Sequence, residues 1–207
     1  MSKQISIKAR CAKCGKVHEV QAVQSVNTAE NPELKEEVCS GRIFVWTCPE
    51  CGAPNLAKWP FLYHDPGQNL ILWLSDGRPE TESQMVGTIA SEEGLGTYTC
   101  RIVDTPGDLV EKISIFDAGL DDVAMELCKF VTRQELDKDV ALRFYRIEGP
   151  DHDITLAYPE NGQMQMVQIG FNVYEDSAAI VRRNPSIAEA SKGLVRVDRD
   201  WIERFLA

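Results

Sequence analysis

Apolar and polar residues alternate on both sides of the first cysteine pair. Ile5 and Ile7 are separated by polar residues and lead into Cys11. Over residues 17–24, Val17, Glu19, Gln21 and Val23 fall on one face, and His18, Val20, Ala22 and Gln24 on the other. A period of two predicts a strand. Asn31-Pro32-Glu33 predicts a helix start, with an N-cap residue, proline at the first position and acids in the first turn. That helix carries Leu34, Val38 and Cys39 and stops at Gly41. Residues 43–47 are β-branched and aromatic, and predict a strand that delivers Cys48. An aromatic segment over 59–65 closes on a Pro66-Gly67 turn, and 69–74 reads as an apolar strand. Residues 76–97 are rich in Gly, Pro, Ser, Thr and Glu with little periodicity, and predict a connecting region.

The remaining pattern predicts a short strand at 101–103, then a helix from Thr105-Pro106 with Leu109, Ile113 and Phe116 on one stripe, broken at Gly119. Asp121 and Asp122 favour the start of a further helix, whose stripe is Val123, Leu127, Phe130 and Val131. Three strands follow at 140–147, 153–158 and 164–169, the last two joined by the hairpin signal Asn161-Gly162. Residues 178–182 read as helix and 194–197 as a short strand. Asp198 caps a last helix holding Trp201, Ile202 and Phe205. The expected fold class is α+β: an N-terminal zinc ribbon with an inserted helix, then a mixed α/β part with an antiparallel sheet. The expected organisation is a ribbon unit over 1–75, a connecting region over 76–97 and an acidic α+β unit over 98–207.

Charge sharpens this division. The chain has 22 Lys and Arg against 32 Asp and Glu, a formal charge of -10, yet residues 1–60 hold 8 basic and 6 acidic residues. The bulk of the chain therefore repels phosphate backbones, and nucleic-acid binding is disfavoured. The longest apolar run, at 70–74, is far short of the ~20 residues of a spanning helix. The first fifteen residues lack the roughly 7–15-residue apolar core of a secretory signal. No membrane association and a cytoplasmic location are the expectations.

The seven cysteines include two Cys-x-x-Cys-Gly pieces, Cys11-Ala12-Lys13-Cys14-Gly15 and Cys48-Pro49-Glu50-Cys51-Gly52. Two intervening residues let both thiolates of a tight turn point at one ion, and the glycine admits a positive φ. Two such turns converging give a tetrahedron of four sulfurs, the arrangement of structural zinc. Cys11, Cys14, Cys48 and Cys51 are thus the candidate ligands and Zn2+ the expected cofactor; iron fits the same ligands. A catalytic zinc keeps an open position, and four thiolates fill it.

The segment Phe44-Val45-Trp46-Thr47-Cys48-Pro49-Glu50-Cys51-Gly52 followed by Leu62-Tyr63-His64-Asp65, with Cys11-Ala12-Lys13-Cys14-Gly15 and Asn31-Pro32-Glu33-Leu34-Lys35 upstream, resembles the CpXC family of bacterial proteins. The resemblance covers roughly residues 5–130. It implies a four-cysteine metal site followed by a mixed α/β part, and implies no activity. The first pair departs from it, having Ala12 where proline is commoner; proline stiffens the turn but is not a ligand.

No Ser/His/Asp arrangement, phosphate loop or dinucleotide fingerprint is present, so no catalytic or cofactor-binding residue is assigned. The leading expectation is a non-catalytic module that binds a protein or small molecule. The alternatives are an enzyme with His64 in a cleft, a Cys48–Cys51 dithiol redox protein, and a nucleic-acid-binding ribbon using Lys3, Lys8, Arg10, Lys13 and Lys16. A redox dithiol lowers its first thiol's pKa at a helix N-terminus, and Gly52-Ala53-Pro54-Asn55 is poor helix material. His18 reads as a strand surface residue, His152 as a solvated turn, and Cys39 and Cys128 as core. Trp46, Trp59, Phe61, Tyr63 and Trp73 crowd one stretch and read mainly as core, with some available to a partner.

Overall fold

A computed structural model describes residues 4–91 and 95–206. The fold is α+β, in two compact units, Met1–Val110 and Glu111–Ala207. Among the described residues, no helix is long and apolar enough to cross a membrane.

In the first unit β1 (Gln4–Arg10) pairs antiparallel with β2 (Val17–Val23), Arg10 opposite Val17 and Gln4 opposite Val23. The chain continues through β3 (Ser25–Asn27) and α1 (Glu33–Cys39), where Gly41 turns the chain at a φ of 71°. The expected strand at 43–47 is shorter. Residues 42–44 form a 3-10 turn, and β4 (Val45–Thr47) pairs antiparallel with β5 (Pro54–Leu56). The turn drives Phe44 into the core, where its ring lies 5.3 Å from Phe61 and 5.2 Å from Trp59.

β6 (Phe61–Asp65) runs antiparallel to β7 (Leu70–Leu74), and β3 lies parallel to β6 on its other side. Every residue of β7 is buried, which is what a run of Leu-Ile-Leu-Trp-Leu requires. The expected connecting region holds α2 (Pro79–Ser91), a helix with proline at its start and Glu80 and Glu82 in its first turn. Its described side chains are exposed or half-buried, so there was no apolar stripe to reveal it. Residues 92–94 of that region lie outside the described residues. β8 (Thr99–Val103) then pairs parallel with β7. The strand that begins just past residue 98 thus belongs to the first unit's sheet, and the division falls within α3 (Pro106–Asp117).

The second unit is built on α4 (Asp122–Leu136). Asp121 caps it, accepting the Ala124 N–H at 2.8 Å. Its first eight residues are all buried, so the helix is enclosed rather than half-exposed along one stripe. Three of those eight are charged: Asp122, Glu126 and Lys129. They are tolerated because they pair. Lys129 Nζ is 2.8 Å from Glu126 and 2.9 Å from Glu111, and Lys112 Nζ is 2.8 Å from Asp122. Glu111 also accepts the Phe144 N–H at 2.7 Å, tying the network to the sheet.

That sheet is antiparallel, in the order β11 (Gln163–Ile169), β10 (Asp153–Glu160), β9 (Arg143–Glu148). Asn161 and Gly162 have φ of 53° and 75°, the paired positive values of the predicted hairpin turn. Ile154, Leu156 and Tyr158 face Ile115, Met125 and Cys128 in the core. Beyond it come α5 (Phe171–Arg183), longer than the 178–182 expected, and then α6 (Pro185–Ala190) and β12 (Leu194–Val195). α7 (Arg199–Glu203) follows, capped by Asp198 on the Trp201 N–H at 2.8 Å.

Candidate metal centre

The two Cys-x-x-Cys-Gly pieces fold into the same turn. In the first, the Cys11 N–H bonds the Lys16 carbonyl at 2.8 Å and the Gly15 N–H bonds the Cys11 carbonyl at 2.9 Å. In the second, Cys48 bonds Ala53 and Gly52 bonds Cys48, both at 2.9 Å. Gly15 and Gly52 have φ of 73° and 66°, and a Cβ there would meet nothing within 4 Å. The glycines are therefore demanded by backbone conformation, not by crowding.

Each turn closes a hairpin, β1–β2 for the first and β4–β5 for the second, and the hairpins bring the four sulfurs together. All four lie within 4.8 Å of one another. Cys11 Sγ is 3.6 Å from Cys51 Sγ, and Cys14 Sγ is 3.7 Å from Cys48 Sγ. A tetrahedron with metal–sulfur bonds of ~2.3 Å has edges of about 3.8 Å, so the spacing fits one ion held by four thiolates. Cys11 and Cys48 are buried beside Ala9 and Trp46, while Cys51 is half-buried and Cys14 exposed.

The thiols are not equivalent. Backbone N–H groups of Cys14 and then Lys13 favour the Cys11 thiolate and, against burial, bring its pKa down to about 6. The Ala53 N–H acts likewise on Cys51, but burial and the neighbouring Cys11 and Cys48 thiols outweigh it and push Cys51 up to about 11. Metal binding requires all four to be deprotonated, and these backbone donors aim at the sulfurs that would carry the charge.

One buried side chain ties the two turns together. Asn55 Oδ1 accepts the Ala12 N–H of the first turn at 2.8 Å, and Asn55 Nδ2 donates to the Ala53 carbonyl of the second at 2.8 Å. Asn55→Ala breaks both bonds and takes the acceptor from the Ala12 N–H, while the Ala53 carbonyl keeps the Cys48 N–H, at a cost of about 1–3 kcal/mol. The expected result is faster loss of metal to a chelator, with Asn55→Asp, which keeps the acceptor but not the donor, falling between Ala and wild type. Metal retention equal to wild type in Asn55→Ala would show that Asn55 does not hold the turns in register. Nothing local in the sequence marks an Asn as bridging segments 43 positions apart. The exposed Lys16–Glu50 ion pair, at 2.7 Å, also spans the turns but contributes little.

His18 differs from its expectation as a strand surface residue. It is half-buried, with Nε2 3.6 Å from Cys48 Sγ and its ring 5.9 Å from that of Trp46. His64 lies half-buried on β6, its Nε2 3.4 Å from the Tyr98 hydroxyl. His152 is in an exposed turn at a φ of 57°. Cys39 is half-buried at the end of α1, and Cys128 is buried, its thiol pushed up to about 12 by burial. Trp46, Trp59, Phe61, Tyr63 and Trp73 are all buried, so this aromatic stretch is core and offers no exposed ring face to a partner. Cys51 leads into β5 rather than a helix, so no helix N-terminus faces Cys48. Of the basic residues considered for nucleic acid, Lys8 and Arg10 lie on β1, Lys13 is exposed in the first cysteine turn, and Lys16 pairs with Glu50. Lys3 lies outside the described residues.

The sequence pattern of the CpXC protein family matches residues 9–129, more than half of the chain. The chain belongs to the CpXC protein family. The CpXC match takes in both cysteine turns, the strands β3, β6, β7 and β8, all of α3 and the first half of α4, and ends at Lys129, before the three-stranded sheet of the second unit. No curated protein and no solved structure matches the chain.

Proposed function

We propose that this CpXC protein is a zinc-held, non-catalytic module that binds another protein, with Cys11, Cys14, Cys48 and Cys51 as the four zinc ligands. The supporting observation is the convergence of two identical turns on one tetrahedral set of sulfurs. Zinc bound there supplies a rigid crosslink between two small hairpins and has no position left for water or substrate. The chain's own groups do the rest. Gly15 and Gly52 set the turns, backbone N–H groups support the thiolates, and Asn55 fixes one turn against the other.

Cobalt(II) substitution tests this reading. The expected spectrum is that of a tetrahedral all-thiolate site, unchanged by added small anions because no coordination position is open. A spectrum that shifts on adding such anions would place water in the first coordination sphere and contradict a closed structural site.

A further inference from the structure

A groove of about 380 Å³ runs along β1 in the first unit, between that strand and the segment that follows β5. β1 pairs with β2 along one edge only; among the described residues no strand pairs with its other edge. An open edge presents backbone N–H and C=O groups at the spacing of a further strand. The wall opposite is apolar and fixed. Trp59 is buried with its indole N–H held by the Val23 carbonyl at 2.8 Å, Pro60 follows it, and Leu56 is 68% exposed.

The rim is cationic. Lys8, Arg10 and Lys58 line the groove and are exposed, and neither lysine has an ion-pair partner among the described residues. Arg10 donates one N–H to the Gly15 carbonyl at 3.0 Å, and forms no ion pair among the described residues. Asp76 also lines the groove, but Arg78 holds it in an ion pair. A cationic groove on a chain of net charge -10 is a local feature with a preference for acidic partners.

We propose that the open edge of β1 takes an extended acidic peptide segment as an added strand. Its apolar side chains lie on Leu56 and Pro60, and its carboxylates pair with Lys8, Arg10 and Lys58. Backbone pairing supplies the affinity and the alternating side chains the selectivity, as in strand addition generally. Single-stranded nucleic acid fits the groove less well: it needs exposed aromatic faces for its bases, and Trp59 is only 5% exposed. The inference rests on the reading of the chain as a protein-binding module, and names the partner's chemistry and the surface it uses.

The test is fluorescence anisotropy of the full chain with a labelled alternating Glu–Val octapeptide at low salt, zinc content being read on the same sample. Saturable binding is expected. It should weaken at least about tenfold in Lys8→Glu/Lys58→Glu, hold in Lys192→Glu outside the groove, and vanish for a peptide N-methylated at every residue. No binding, equal binding of the fully N-methylated peptide, or preference for an oligothymidylate overturns the proposal. Because metal content is read separately, a fully metallated chain that ignores the peptide overturns the groove alone and leaves the zinc reading standing.

Discussion

Removing zinc with a strong chelator is expected to unfold the two cysteine hairpins, and Cys11→Ser or Cys51→Ser is expected to do the same. The reason is the size of the core they enclose. Ala9, Trp46 and the buried Cys11 and Cys48 form its centre, with Val20, Cys51, Ala53 and Ala57 around them. So few apolar side chains cannot offset the ordering of two short hairpins. A four-thiolate zinc contributes on the order of 10 kcal/mol, comparable to the whole stability of a small domain. Trp46 is 8% exposed and next to the sulfurs, so its fluorescence should shift to longer wavelength as the metal leaves. An unchanged emission spectrum in a fully demetallated chain would mean that the hairpins stand without the ion.

The second large effect belongs to the buried charges of the second unit. Lys129→Met removes the cation between Glu126 and Glu111 and leaves both carboxylates in the interior with less compensation. Breaking a buried pair from one side costs about 3–5 kcal/mol, and chemical denaturation followed by circular dichroism should show a loss of that order. By contrast, Lys192→Ala, which removes an ion pair whose side chains are 70% and 73% exposed, should change stability by less than about 0.5 kcal/mol. A neutral Lys129→Met would mean that water or rearrangement relieves the carboxylates. Burial by itself lowers the Lys129 pKa, but Glu126 and Glu111 outweigh it and raise it above the ordinary 10.5. A folded-state pKa above the unfolded one stabilises fully below the unfolded value. The contribution of Lys129 is therefore complete at neutral pH and is lost as pH rises past about 10.5 toward the raised folded value.

What the sequence disclosed follows from how local each signal is. The cysteine turns, the helix start at Asp121-Asp122, the cap at Asp198 and the Asn161-Gly162 hairpin each depend on a few adjacent residues, and each formed as expected. α2 is not legible in the sequence because a helix is marked by a buried apolar stripe, and this helix has none in its described side chains. α4 was expected to show a narrow stripe and is instead enclosed, since Asp122, Glu126 and Lys129 read as solvent-facing until Lys112 and Glu111 on α3 are placed beside them. At the cysteine site the same limit applies. The four sulfurs are legible from spacing, whereas the Asn55 bridge and the approach of His18 to Cys48 arise only when distant hairpins meet.

Elemental analysis of the purified chain decides whether the four cysteines hold a structural zinc. About one zinc per chain is expected in wild type, and its loss in both Cys11→Ser and Cys51→Ser. A metal-free, fully folded protein in which Cys11, Cys14, Cys48 and Cys51 all react as free thiols would contradict it.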